Sequence, residues 1–128
     1  MTCPFRVHLP RKTKKDKQIP INLNWYRNAQ HFESNQAKKQ FLEDVRDQLE
    51  GKRLQTPVTV CYQVFKPTRL DKMNVVAITS KFLLDALSEL GVWVDDNDDY
   101  VKTETILPTE HDKDNARVEV TLKTIKEI

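Results

Sequence analysis

Residues 66–101 read KPTRLDKMNVVAITSKFLLDALSELGVWVDDNDDYV, and this stretch decides the fold. Between residues 71 and 90, apolar side chains cover most of a helical circumference, which predicts a long and largely buried helix. Gly91 follows at once, and a glycine in that place is typical of a helix C-terminus. The four aspartates within residues 95–99 then predict an acidic loop.

The polar residues of the predicted helix fall on one narrow side. At about 100° per residue, an arc of roughly 80° contains Asp71, Asn74, Ile78, Lys81, Asp85 and Glu89. A carboxylate beside a buried surface faces water, pairs with a cation or binds a metal. Asp71 also stands at the helix start, where it is expected to act as the N-cap. The alternative interpretation is that the stripe is only the solvent face of a core helix.

The flanking sequence completes an α+β pattern. A second helix is expected over about residues 35–50, capped by Ser34. Alternating apolar residues predict strands over residues 5–9, 58–64, 100–107 and 118–122. The order is β-α-β-α-β-β, which predicts two helices packed on a small mixed sheet.

The remaining segments are expected to connect these elements. Residues 10–20 predict a basic loop, and residues 108–116 predict a polar loop. Residues 21–33 mix aromatic and amide side chains and carry no clear period. Within them, Trp25, Tyr26 and Phe32 are candidates either for stacking on bases or for packing in a core or dimer interface.

Length and composition limit the class of protein. The 128 residues predict one domain over 1–128, and a charged fraction of 31% is typical of a soluble protein. No apolar run approaches the roughly 20 residues of a membrane span, and no secretory signal is expected at the N-terminus. The two cysteines, Cys3 and Cys61, have no metal-ligand spacing. We therefore expect a cytoplasmic protein with reduced thiols.

Positive charge is concentrated in the first part of the chain. Residues 1–53 hold 12 of the 21 Lys and Arg residues but only 6 of the 19 Asp and Glu residues. Such a surface suits an anionic polymer, although a solvated loop is an equal alternative. The candidates for contact with DNA phosphates are Arg11, Lys12, Lys14, Lys15, Lys66 and Arg69.

The acidic residues suggest a metal site. Mg²⁺ prefers one or two protein carboxylates, together with waters and phosphate oxygens. Asp71 and Asp96 fit that requirement if the 95–99 loop returns to the helix start, and Lys81 fits the charge that develops on phosphate. The alternative is a solvated acidic turn. The segment of residues 95–99 is not an EF-hand loop, because the ligand spacing of that motif is missing.

Three runs resemble RusA-type Holliday-junction resolvases, a family of endodeoxyribonucleases. Residues 81–96 are similar to the family pattern of a lysine, the triplet Asp-Ala-Leu, Gly-x-Trp and two aspartates. Residues 69–74, RLDKMN, resemble its basic run followed by D-x-D-N. Residues 24–27, NWYR, resemble its Asn/aromatic segment.

The resemblance implies a homodimeric, magnesium-dependent endonuclease that cuts four-way DNA junctions in recombination and repair. Members are often carried by phages and prophages, which implies the cytoplasm of a bacterial host or phage-infected cell. Mn²⁺ is an expected substitute for Mg²⁺. Asp71, Lys81 and Asp96 are the implied catalytic residues. The implied metal ligands are Asp71 and Asp96, assisted by Asp95 or Asp99, and the implied supporting residues are Asn74 and Asp85.

The chain also departs from the family pattern. Met73 stands where the second aspartate of D-x-D belongs, and the spacing from Asn74 to Lys81 is longer by about one helical turn. Loss of one ligand predicts either weaker metal binding or a protein that binds branched DNA without cutting it. A nuclease for flaps or forks is a further interpretation of the same residues, and so is an acidic-loop protein unrelated to DNA.

Overall fold

The computed structural model describes residues 1–67, 71–93 and 100–125. Its elements in chain order are β1 (Thr2–Pro4), β2 (Arg6–Leu9), β3 (Lys17–Pro20), α1 (Leu23–Asn28), α2 (His31–Leu49), β4 (Val58–Lys66), α3 (Lys72–Glu89), β5 (Val101–Ile106), β6 (Glu110–His111) and β7 (Arg117–Thr124). The class is therefore α+β, as the sequence predicts.

The main sheet is mixed and has the order β1-β7-β4-β5, with the short strand β6 also paired to β4. Strand β4 runs antiparallel to β7 and parallel to β5 and β6. Strands β2 and β3 form a separate antiparallel hairpin. The four predicted strands are thus confirmed, and β4 lies at the centre of the larger sheet.

The strict alternation of β4 creates one buried face. Val58, Val60, Tyr62 and Val64 are buried, whereas the residues between them are half-exposed. The buried row continues into β7, where Val120 lies opposite Tyr62. Because successive strand residues point to opposite faces, this row presents one apolar surface to the helices.

Helix α3 follows its predicted limits closely. Asp71 is the N-cap and accepts a hydrogen bond from the Met73 amide at 2.9 Å. Gly91 has a φ of 71°, a left-handed conformation that ends the helix at little steric cost. Ile78, which the helical wheel assigns to the polar stripe, is instead buried. It lies one turn before Phe82, on the side that α1 covers through Trp25 and Tyr26.

The first third of the chain holds more regular structure than the sequence predicts. The sequence predicts two helices in the whole chain, and the described residues form three, because residues 21–33 supply α1 and the start of α2. Asn22 caps α1 by accepting from the Trp25 amide at 2.9 Å. Helix α2 is preceded by Gln30, so the prediction of Ser34 as its N-cap is wrong. Ser34 lies inside the first turn, where its hydroxyl donates to the His31 carbonyl at 3.0 Å.

The two predicted loops each contain a short strand. Strand β3 lies in the expected basic loop because Ile19 is buried opposite Val7 in the hairpin. Strand β6 lies in the expected polar loop and pairs with the end of β4 through backbone groups. Both strands depend on contacts with distant segments, which local periodicity does not report.

A hydrogen-bonded cluster ties α3 to the sheet. The Tyr62 hydroxyl lies 2.8 Å from Glu104 Oε1 and 3.0 Å from Ser80 Oγ, and Ser80 Oγ donates to the same carboxylate at 2.9 Å. The cluster joins β4, α3 and β5. Burial raises the pKa of Tyr62 well above its usual range, so this hydroxyl is neutral and able to donate.

We expect Tyr62→Phe to lower the free energy of unfolding by about 1–2 kcal/mol, because it removes a hydroxyl from a partly buried hydrogen-bond network and keeps the ring. Urea unfolding followed by circular dichroism measures this loss. Glu104→Gln and the double variant complete a mutant cycle. Additive losses from Tyr62→Phe and Glu104→Gln would show that the two groups do not interact energetically.

Candidate metal and nucleic-acid site

Asp71 occupies the start of α3 with its side chain in solvent. Its Oδ1 accepts the Met73 amide at 2.9 Å, and the residue as a whole is exposed. An N-cap needs one acceptor oxygen, and a carboxylate has two. Asp71 can therefore cap the helix and still offer an oxygen to a cation.

Lys81 lies on the exposed side of α3, ten residues and about 15 Å along the axis from Asp71. Its ammonium stands 5.9 Å from the centre of the Tyr26 ring, a favourable position for a cation. Helix α1 thus holds one side of this lysine, while solvent reaches the other. The geometry suits an anion that approaches from outside the helix pair.

Asp85 and Asn74 both contact other protein groups. The Asp85 carboxylate pairs with Lys38 of α2 at 2.9 Å, and this ion pair links the two helices. Asn74 is half-buried, and its backbone N–H donates a hydrogen bond to the backbone carbonyl of Asp71 at 3.1 Å. Asp71, Lys81 and Asp85 are consequently spread along one side of α3, and the structure does not bring them to one point.

Met73 is one of the largest exposed apolar side chains, with 56% of its surface accessible. It lies two residues after Asp71, in the first turn of the helix. A carboxylate at this position would stand beside the helix N-terminus, where negative charge is stabilised. The chain places a thioether there instead.

The predicted residues Arg69, Asp95, Asp96 and Asp99 lie outside the described residues. The described residues on either side of the three aspartates are Trp93 and Tyr100. Trp93 is buried and donates through Nε1 to Ser88 Oγ at 2.9 Å, and the Tyr100 carbonyl accepts the Val58 amide at 2.7 Å. Both anchors lie toward the C-terminal end of α3, whose 18 residues span about 27 Å. Asp71 is at the other end.

The His, Cys, Asp and Glu side chains of the described residues are dispersed. Within residues 1–67, 71–93 and 100–125, no three of them come close enough together to hold an ion. Both cysteines are free, and burial raises the pKa of the Cys3 thiol to about 12. Cys3 is therefore a neutral core residue.

The basic segment forms the tip of the β2–β3 hairpin. Arg11, Lys12, Lys14 and Lys15 are exposed, and Arg11 Nε donates to the Lys15 carbonyl at 2.8 Å, which closes the turn. Lys17, directly after the turn, pairs with Glu33 in the first turn of α2 at 2.6 Å. This ion pair holds the end of the turn beside the first turn of α2. Lys66 is half-buried at the end of β4.

The aromatic candidates divide into two groups. Trp25 and Tyr26 each meet the edge of Phe82 with ring centres 6.3 Å apart, so they dock α1 on α3. Phe32 has 73% of its surface exposed at the start of α2. Structural packing accounts for the first two residues, whereas Phe32 is available to a partner.

A cleft between β3 and α1 is a feature that the sequence did not reveal. Its volume is about 470 Å³, and its walls include Gln18, Asn24, Trp25 and Asn28. The available signal was the density of amide side chains in residues 22–28. These side chains line a cleft only because α1 packs beside the β2–β3 hairpin.

Protein-family models give no match to this sequence. Curated proteins give no similar sequence either. The resemblance to RusA-type resolvases therefore depends on residues 24–27, 69–74 and 81–96 alone. No helix in the described part of the chain is long and apolar enough to cross a membrane.

Proposed function

We propose that the protein is a metal-dependent endonuclease with a RusA-like fold that hydrolyses phosphodiester bonds in Holliday junctions or other branched DNA. The observation that carries the proposal is the exposed side of α3, where Asp71 and Lys81 both stand in solvent. A carboxylate that binds a cation and an ammonium that binds phosphate are suited to phosphodiester hydrolysis. The pattern in residues 69–96 supports the same roles.

The proposed cofactor is Mg²⁺, with Mn²⁺ as a substitute. Asp71 fits this group because hard cations take oxygen ligands and Mg²⁺ needs only one or two protein carboxylates. Asp96, with Asp95 or Asp99, is the proposed source of the remaining carboxylate. When bound, the ion polarises the phosphodiester and lowers the pKa of a bound water. Lys81, about 15 Å along the helix axis from Asp71, is proposed to bind another phosphate of the same strand, and the Asp85–Lys38 pair positions α3 against α2.

The length of α3 sets a condition on this site. Trp93 and Tyr100 lie toward one end of the helix, and Asp71 lies at the other, about 27 Å away. Two α3 helices related by a two-fold axis and lying antiparallel would bring Asp71 close to Trp93 and Tyr100 of the partner subunit, and the four aspartates stand between those two residues in the sequence. We therefore propose a homodimer with two sites, each built from both chains.

Cleavage of a labelled four-way junction tests the proposed activity, with Mg²⁺, Mn²⁺ or EDTA, for the native protein and for Asp96→Asn. We expect paired symmetric cuts that require a metal and disappear in the variant. A panel of flaps and forks measured alongside establishes which branched structure is preferred. Tight junction binding with no cuts in either metal would contradict the proposal. The proposed setting is the cytoplasm of a bacterial host or phage-infected cell.

A branched-DNA-binding protein that does not cut is the second candidate. The specific observation in its favour is Met73, an exposed thioether where the family pattern has a metal-binding carboxylate. Met73→Asp separates the two candidates in the same cleavage assay. Cutting that appears only in the variant supports the binding protein, whereas equal cutting by both proteins supports the nuclease.

A further inference from the structure

We infer that the cleft between β3 and α1 binds an unpaired nucleotide of a DNA strand. The inference rests on the proposed function for the identity of the polymer, and it extends that function by naming a second contact. At about 470 Å³ the cleft lies within the range of small-molecule sites. It is open on one side, so a nucleotide within a strand can enter it without a free end.

The polar groups of the cleft match the edges of a base. Amide side chains carry both donors and acceptors, and they pair with the hydrogen-bonding edges of bases. Asn24 and Gln18 are exposed on facing walls. Asn28 uses its Nδ2 to donate to the Asn24 carbonyl at 2.9 Å, which fixes its side chain across the end of α1. Asn22 is committed to capping the helix.

One aromatic ring lines the cleft, and a second is exposed nearby in the chain. Trp25 lines the cleft and is half-buried. Phe32 precedes Glu33, which lines the cleft, and 73% of the Phe32 surface is exposed. The exposed phenyl ring contacts water, and stacking on a base would cover it.

The charge around the cleft selects an anionic strand over a peptide. Lys17 lines the cleft and pairs with Glu33, which also lines it, so the cations free for a strand are those of the basic turn of residues 10–16, directly before Lys17. On the other side of Trp25, Lys81 stands over the Tyr26 ring. A strand whose base enters the cleft therefore has cations on both sides for its phosphates.

Titration of the native protein with a short oligothymidylate in EDTA tests the inference. Trp25 fluorescence is the signal, because Trp93 is buried away from a ligand, and the Trp25→Phe variant measures the constant emission of Trp93. We expect saturable quenching, weakened about tenfold by Phe32→Ala and about three- to tenfold by Asn24→Ala. Leu107→Ala and Asn115→Ala remove an exposed apolar side chain and an exposed amide elsewhere, and they should leave the affinity unchanged.

Two results would overturn the inference. One is equal affinity in the cleft variants and their controls. The other is displacement of the oligothymidylate by oligoglutamate at the same charge concentration, which would indicate a site for any anionic chain. Because the titration contains no metal, its outcome is independent of cleavage. If oligothymidylate does not bind but the protein still cuts junctions, only the nucleotide site in the cleft is refuted. If oligothymidylate binds but junctions are not cut, only the proposed nuclease activity is refuted.

Discussion

Asp71→Asn should lower metal-dependent junction cleavage on the order of 100-fold or more while leaving the fold intact. A bound ion contributes several kcal/mol to stabilising the transition state, and each 1.4 kcal/mol is a factor of ten in rate. An amide is a poor ligand for Mg²⁺ compared with a carboxylate. Asparagine nevertheless caps helices as well as aspartate does, so the hydrogen bond to the Met73 amide is kept.

Asp71→Ala is the matched control, because it removes the cap together with the ligand. We expect it to cut no better than Asp71→Asn and to lose about 1 kcal/mol of stability as well. Junction cleavage rates and urea unfolding of both variants separate the two roles. Native cleavage by Asp71→Asn would exclude this carboxylate as a metal ligand.

A mixture of Asp71→Asn and Asp96→Asn proteins tests whether two chains share each site. In a shared arrangement, a mixed dimer has one site with both substitutions and one site with both native carboxylates. Such a mixture should nick the junction although each variant alone is inactive. If each site were built from a single chain, every site in the mixture would lack one carboxylate, and the mixture would remain inactive.

Phe82→Ala is expected to destabilise the protein by about 3–5 kcal/mol, the range for deleting a buried aromatic side chain. Phe82 is 2% exposed and lies at the junction of all three described helices. Its ring meets Phe41 of α2 at 5.7 Å, and Trp25 and Tyr26 of α1 at 6.3 Å. Removing it leaves a cavity where these rings converge, and urea unfolding measures the cost.

Two substitutions calibrate this loss. Phe82→Leu keeps part of the buried volume and should cost much less than the alanine change. Leu84→Ala, two residues away on α3, removes a side chain that is only half-buried. A loss for Phe82→Ala no larger than that for Leu84→Ala would show that the aromatic cluster does not organise the helices.

The elements predicted correctly are those whose burial follows a regular period. Helix α3 and strand β4 show this most clearly, because the helix buries one continuous side and the strand buries alternate residues. The sequence overestimated the burial of α3, since Ala77 is exposed and Leu84 is half-buried. Helix α1 was not predicted, because a helix of six residues has little local pattern and this one is stabilised by packing against Phe82. Strand β3 depends on one buried residue, Ile19, paired across the hairpin.

The candidate site was predictable in its chemistry and only partly in its geometry. The exposure of Asp71 and Lys81 follows from the helical wheel. The partner of Asp85 does not, since Lys38 approaches from a different helix. The cleft beside α1 could not be predicted either, because its two walls, β3 and α1, are separate segments that meet only in the tertiary structure.

The pairing of β1 with β7 has a consequence for biosynthesis. Cys3 lies opposite Val118, and the Met1 amine donates to the Val120 carbonyl at 2.7 Å, so the earliest and latest strands of the sheet are neighbours. On the ribosome, β1 and the β7-facing edge of β4 are made long before β7 is available. Contacts of such large sequence separation form slowly, and unpaired edges invite association with other chains. Completion of this sheet therefore waits for the synthesis of β7, and until then the edges of β1 and β4 that pair with it stay open.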